Sequence, residues 1–156
     1  MLQILDAVNY LHEKSIIHGD FNIENVLINP ENLEIKIIDF GLSKILNNEE
    51  KEEQIMDPMG SPSYRIPNTL NSEFSPFFRD IWGIFLISMT ACLRKEVNSN
   101  KMLKMMRDKE KIEDSSHFEI GKKLLEKIKI AFNVEEKQKP LSNDILNDLT
   151  KLFTNF

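Results

Sequence analysis

Four side chains near the start of the sequence could do chemistry together: His18, Asp20, Asn25 and Asp39. They stand just outside two short apolar runs, Val26-Leu27-Ile28 and Ile35-Lys36-Ile37-Ile38, three of them before the first run and Asp39 after the second. An amide and a carboxylate brought side by side, Asn25 and Asp39, would offer oxygen ligands to one hard cation. Asp20, five residues upstream of Asn25, would keep a carboxylate free to accept a proton. Cation-held phosphates and an aspartate that positions a hydroxyl are the parts that phosphoryl transfer requires.

For these residues to meet, the chain between them must fold back. Apolar runs of this length bounded by turn residues predict strands, and Asn29-Pro30-Glu31-Asn32 predicts the turn of a hairpin. The hairpin would return Asp39 towards Asn25. Upstream, Ile4, Leu5, Val8 and Leu11 have the spacing of one helical face, so Met1–Lys14 is predicted as a helix. Downstream, Arg79–Leu93 is apolar on all sides, which predicts a helix buried in a core rather than lying on one. Further helices are expected at Asn98–Asp108, at Phe118–Phe132 and, after Pro140, through Leu141, Ile145, Leu146, Leu149, Leu152 and Phe153. Met102, Met105 and Met106 could form a plastic binding surface, but core filling is the simpler reading.

At 156 residues, with 41% hydrophobic and 29% charged content, the chain is one domain or part of one. A single cysteine, Cys92, excludes an internal disulfide framework and is read as a buried small hydrophobe. No basic segment precedes the first apolar residues, and the run Ile81–Leu93 is too short to span a bilayer. An intracellular, cytoplasmic chain without a membrane partner is expected. The net charge of −5 argues against general nucleic-acid binding. Residues 94–139 nevertheless carry 13 basic against 9 acidic groups, while residues 1–93 carry 6 against 14. Since the lysines alternate with Glu and Asp, a solvated helix face explains them more simply than a phosphate-binding patch.

The segment His18-Gly19-Asp20-Phe21-Asn22-Ile23-Glu24-Asn25 resembles the HRDLxxxN catalytic loop of protein kinases, and Ile37-Ile38-Asp39-Phe40-Gly41 resembles their DFG segment. Gly60-Ser61-Pro62-Ser63-Tyr64-Arg65-Ile66-Pro67 is similar to the GTPxYxAP phrase of the serine/threonine kinases, Tyr10–His18 to the phrase before the loop, and Asp80-Ile81-Trp82-Gly83 to the start of the family's central helix. The resemblance implies a mainly α domain, the protein-kinase large C-terminal lobe, built as a helical bundle around a buried central helix with a small β-hairpin carrying the catalytic loop. Residues 1–156 would form this partial domain, with the catalytic loop at 16–28, the metal-binding segment at 39–41, the activation segment at 39–68 and the central helix at 79–93.

By the same resemblance, Asp20 orients and deprotonates a serine or threonine hydroxyl of a protein or peptide substrate. Asn25 and Asp39 hold magnesium, and with Leu27, the floor under the adenine, they bind ATP. Ser61 supports Asp20, Asn22 is a weakened phosphate contact, and Asp80 ties down the backbone of the loop. His18 packs under Phe40, and His12 is structural.

The sequence also departs from the family pattern. None of the five glycines forms GxGxxG, so the small N-terminal lobe, with its loop and phosphate-binding lysine, is expected upstream of Met1, and no catalysis is expected from the isolated chain. Gly19 replaces an arginine that pairs with an activation-loop phosphate. Asn22 replaces a lysine; losing one such preorganised charge costs on the order of 3 kcal/mol, or a hundredfold in rate. Asn68 replaces a glutamate, and its expected partner, Lys139, is not the usual arginine. Ser43, Ser61 and Ser63 are conceivable phosphosites. These changes keep open a pseudokinase or scaffold. His18-Gly19-Asp20 also fits the small-molecule phosphotransferases of the aminoglycoside and choline kinase kind.

Overall fold

The structure is a computed structural model that describes residues 1–48, 60–67, 74–107, 118–131 and 142–155. The chain is mainly helical with a small antiparallel hairpin, as the sequence predicts, and a second antiparallel strand pair that it does not. Helix α1 (Leu2–Glu13) buries Ile4, Leu5, Val8 and His12 along one face. Two residues past its last residue stands Ser15, whose φ of 61° is in the left-handed region. Strand β1 (Ile16–Ile17) follows and pairs with β4 (Lys44–Ile45), Ile16 opposite Ile45.

Strands β2 (Val26–Ile28) and β3 (Ile35–Ile37) form the hairpin, with Val26 opposite Ile37 and Ile28 opposite Ile35. Its turn is built by two asparagines. Asn29 Oδ1 accepts from Glu31 N at 2.9 Å and Asn32 Oδ1 from Glu34 N at 3.0 Å, the local side-chain closure that makes Asn a turn former. Gln3 covers the outer edge of β3: its Nε2 donates to Leu33 O and its Oε1 accepts from Ile35 N, both at 3.0 Å. Helix α1 thereby supplies hydrogen bonds that an unpaired strand edge would otherwise seek elsewhere.

Helix α2 (Phe78–Leu93) is the buried element. Ile81, Trp82, Ile84, Phe85, Leu86 and Met89 are all 0% exposed. It packs against α1, α4 (Phe118–Ala131) and α5 (Ser142–Thr154), while α3 (Ser99–Arg107) contacts α4 and contributes Met102 and Met105 to the core. Burial on every side lasts only as far as Met89. Ala91 is exposed and Cys92 is half-buried, because the last turn of α2 emerges from the core. Cys92 is therefore not the fully buried residue expected of it. Asn68, Lys139 and the acidic run from Glu49 to Gln54 lie outside the described residues, as does the pairing expected between the first two positions, where the family's ion pair is replaced. Among the described residues no helix is long and apolar enough to cross a membrane.

Candidate active site

The loop between β1 and β2 is held from below by α2. Asp80, 0% exposed, accepts from His18 N at 2.9 Å through Oδ2 and from Gly19 N at 3.0 Å through Oδ1. The anchoring role expected of Asp80 is thus present as two direct bonds to the loop backbone. Its Oδ2 also meets His12 Nε2 at 2.9 Å, which makes His12 part of the same support. One turn further along α2, the backbone of the loop touches Gly83. A Cβ there would stand 2.0 Å from Phe21 O, so only glycine allows the loop and the helix to meet this closely.

Above this support, the loop turns in a short 3-10 turn, Ile23–Asn25, capped by Asn22. Asn22 Oδ1 accepts from Glu24 N at 2.9 Å and Asn25 N at 3.2 Å. Asn25 Nδ2 donates to Asp20 O at 2.9 Å, which leaves Oδ1 as the oxygen Asn25 can offer to a cation. Ile38 N donates to Asn25 O at 2.9 Å, so the hairpin brings the chain at Asp39 back beside the end of the loop. The register therefore draws Asp20, Asn25 and Asp39 to one end of the hairpin.

Asp39 is exposed and adopts φ 60°, with its own Oδ1 accepting from Gly41 N at 3.2 Å. A non-glycine residue in this conformation is uncommon, and such positions gather at functional sites. Phe40 follows, its ring centroid 4.9 Å from that of His18, the contact predicted for these two positions. His18 is buried and its Nε2 also meets Ile38 O at 2.9 Å. Leu27, on β2, is half exposed at the same edge.

Ser61 reaches the site from 41 residues away. Its N donates to Asp20 Oδ1 at 2.7 Å and its Oγ to Asp20 Oδ2 at 3.1 Å. Burial alone would raise the Asp20 carboxyl, but the bonds from Ser61 N, Ser61 Oγ and Asn22, with His18 behind them, outweigh it and hold the group below the usual carboxylate range. Asp20 is therefore ionised at neutral pH. Gly60, with φ 85°, lies so close that a Cβ would be 2.9 Å from Gly19 O and 3.1 Å from Asp20 Oδ1.

Two residues that sequence reasoning passed over hold this segment in place. Arg65 Nε donates to Gly60 O at 2.7 Å, and Ser99 Oγ donates to Arg65 O at 2.7 Å while accepting from Trp82 Nε1 at 2.9 Å. Ser99 begins a helix, and no local pattern marks it as a bridge. Gly19 is built in as well: its φ is 82°, and a Cβ would be 2.4 Å from Leu42 O. The arginine of the kinase pattern cannot be restored here without moving that backbone.

The domain is mainly helical and carries an anchored loop on which Ser61 holds the Asp20 carboxylate, with Asn25 bonded to the Asp20 backbone at the end of the hairpin. The family model described as "Protein kinase domain" matches residues 1–153, and the chain belongs to that family. It is similar to CBL-interacting protein kinase 21 of Oryza sativa subsp. japonica, 40% identical over 90 residues that make up 56% of this chain and 17% of the relative. Serine/threonine-protein kinase 17A of Oryctolagus cuniculus is 37% identical over 90 residues, 56% of this chain and 22% of the relative. Myosin light chain kinase 3 of Homo sapiens is 38% identical over 87 residues, 55% of this chain and 10% of the relative. The chain thus matches less than a quarter of the length of each of these relatives.

Proposed function

We propose that this chain is the large lobe of a serine/threonine protein kinase domain, serving transfer of the γ-phosphoryl group of ATP to a hydroxyl of a protein or peptide. The observation that carries the reading is the two-bond hold of Ser61 on Asp20, beside Asn25 and at the end of the hairpin that returns Asp39. Asp20 orients the substrate hydroxyl through an ionised carboxylate and takes up its proton as transfer proceeds. Because hydrogen bonds lower its basicity, its main contribution is orientation. Asn25 Oδ1 and the Asp39 carboxylate are the hard oxygen donors suited to magnesium, which commonly takes one or two carboxylates and completes its shell with phosphates and water. No group of three or more His, Cys, Asp or Glu side chains arranged for a metal occurs among the described residues, and a phosphate-completed shell needs none. When bound, the ion would neutralise charge on the phosphates.

Leu27 offers an apolar floor for the adenine. A groove of about 420 Å³ beside the site, lined by residues including Tyr10, Leu11, Ile37 and Phe40, is the kind of apolar surface that a small lobe would cover. The reading implies an intracellular setting where ATP is available. The test is magnesium-ATP turnover in a protein extended upstream of Met1 to include a small lobe. Asp20→Asn is expected to lower the rate by about 10²–10⁴-fold. Phosphorylation that does not depend on Asp20 would end the proposal.

A second reading, a pseudokinase or scaffold, is favoured by Gly19 and Asn22, since neither the family's arginine nor its lysine charge stands in this loop. It predicts partner binding that Asp20→Ala leaves intact. The small-molecule phosphotransferase reading is weaker, because the Ser61 contact belongs to a phrase similar to that of the protein kinases.

A further inference from the structure

We propose that the 156-residue chain pairs with a second copy of itself through helix α1 and the apolar groove beside it, as a two-fold dimer centred on Tyr10. The inference goes beyond the phosphotransfer reading and does not depend on it. Among the described residues, ten of the eleven exposed large hydrophobics lie between Leu2 and Ile45, so exposed apolar surface is gathered on one part of the chain. The groove, about 420 Å³, has Ala7 and Leu11 of α1 and Ile35 and Ile37 of β3 in its wall. Its rim is apolar as well. Tyr10 and Phe40 line it and are 60% and 45% exposed. Ile28, 62% exposed, stands opposite Ile35, and directly opposed residues of a hairpin share a face. Leu33, 66% exposed, is held through its carbonyl by Gln3, another wall residue. At those fractions the four side chains present roughly 500 Å² of apolar surface, near the upper end of the largest patch a monomer usually keeps. With the groove wall and the ends of α1 added, the face approaches the ~800 Å² per partner of a standard interface.

The charge along the helix selects a second copy as the occupant. Asp6, Tyr10 and Lys14 follow at four-residue spacing and so form one stripe, acid at one end, aromatic in the middle and base at the other. All three are exposed, and Lys14 Nζ lies 5.8 Å from the Tyr10 ring centroid. Asp6 is the one charged residue lining the groove, and the one amide there, Gln3, is committed to Leu33 O and Ile35 N. A stripe with opposite charges at its ends is its own complement. In a two-fold arrangement residue i meets j while j meets i. An axis through Tyr10 runs the two helices antiparallel and brings the rings together. Each Asp6, about 6 Å from that axis along the helix, then faces Lys14 of the other copy. A parallel arrangement would set like charge against like.

Sedimentation velocity of the 156-residue chain over a concentration series is the test. A monomer–dimer equilibrium is expected, with a Kd on the order of 10 μM, the weak end for a face of this size. Tyr10→Ser removes the central ring and should raise Kd about tenfold or more. Asp6→Lys alone and Lys14→Asp alone each set like charges together twice, and each should weaken pairing by about tenfold. Mixed one to one, these two single variants restore both charge pairs across the interface, as the double variant Asp6→Lys/Lys14→Asp does with itself. Both are expected to return Kd to within about threefold of wild type, which also shows that the variants fold. A wild-type chain that stays monomeric overturns the proposal and leaves the groove to a small lobe. So does association that continues past two copies, since a two-fold contact closes on itself. Wild-type pairing in Tyr10→Ser overturns it too, as does a mixture that pairs no better than its components. No arm reads turnover: absent phosphotransfer would end the kinase reading and leave the dimer, and a monomeric chain would do the reverse.

Discussion

Replacing Asp80 with alanine tests the support on which the loop rests. The carboxylate is fully buried and receives three donors, His18 N, Gly19 N and His12 Nε2, at 2.9, 3.0 and 2.9 Å. A carboxylate only accepts, so the imidazole nitrogen is the donor in the third contact. Truncation strands all three donors in the interior, each at about 1–3 kcal/mol if nothing replaces the partner. Water entering the vacated space recovers part of that. The expected net loss is about 3–5 kcal/mol, the scale of breaking one side of a buried charged pair. Against a typical stability of about 5–15 kcal/mol this is severe. Urea unfolding followed by the fluorescence of Trp82, the single and fully buried tryptophan, would measure it as a lower midpoint at unchanged slope. Asp80→Asn should fall between, since it keeps one acceptor but turns an NH2 group towards a donor. A loss under about 1 kcal/mol in Asp80→Ala would refute the reasoning and show that the loop backbone is held by something else.

Gly83→Ala gains up to about 1 kcal/mol of helix propensity but drives a Cβ to 2.0 Å from Phe21 O; the expected result is a net loss at or beyond the upper end of the 1–3 kcal/mol range for overpacking, read in the same urea titration. Ser61→Ala removes the Oγ bond and should move the Asp20 titration upward by NMR. Because the folded Asp20 carboxyl lies below its unfolded value, its contribution to stability is present above the unfolded value and is lost as pH falls through the folded one. The wild type should therefore lose more stability than Ser61→Ala on acidification across that window, and identical acid profiles would contradict the assignment.

Much of the fold was legible locally. The helical stripe of α1, the asparagine-closed turn between β2 and β3 and the uniformly apolar α2 are patterns among neighbouring residues, and each element formed within a residue or two of its predicted bounds. The pair β1 and β4 was not legible: two-residue strands have no periodicity to read, and the paired residues, Ile16 with Ile45 and Ile17 with Lys44, are 29 and 27 positions apart. Cys92 was misread because an all-apolar segment does not say where along its length the core ends.

By itself, the sequence determined which residue types could do chemistry and that a hairpin would return Asp39 towards Asn25, since turn geometry and side-chain alternation are local properties. Only the tertiary structure decided that Asn22 is spent on Ser61, that Ser99 bridges Trp82 to Arg65, and that Gly19 and Gly83 are closed to any Cβ. Those outcomes depend on donors, acceptors and free space contributed by chain 17 to 62 residues away, which no local window of sequence contains.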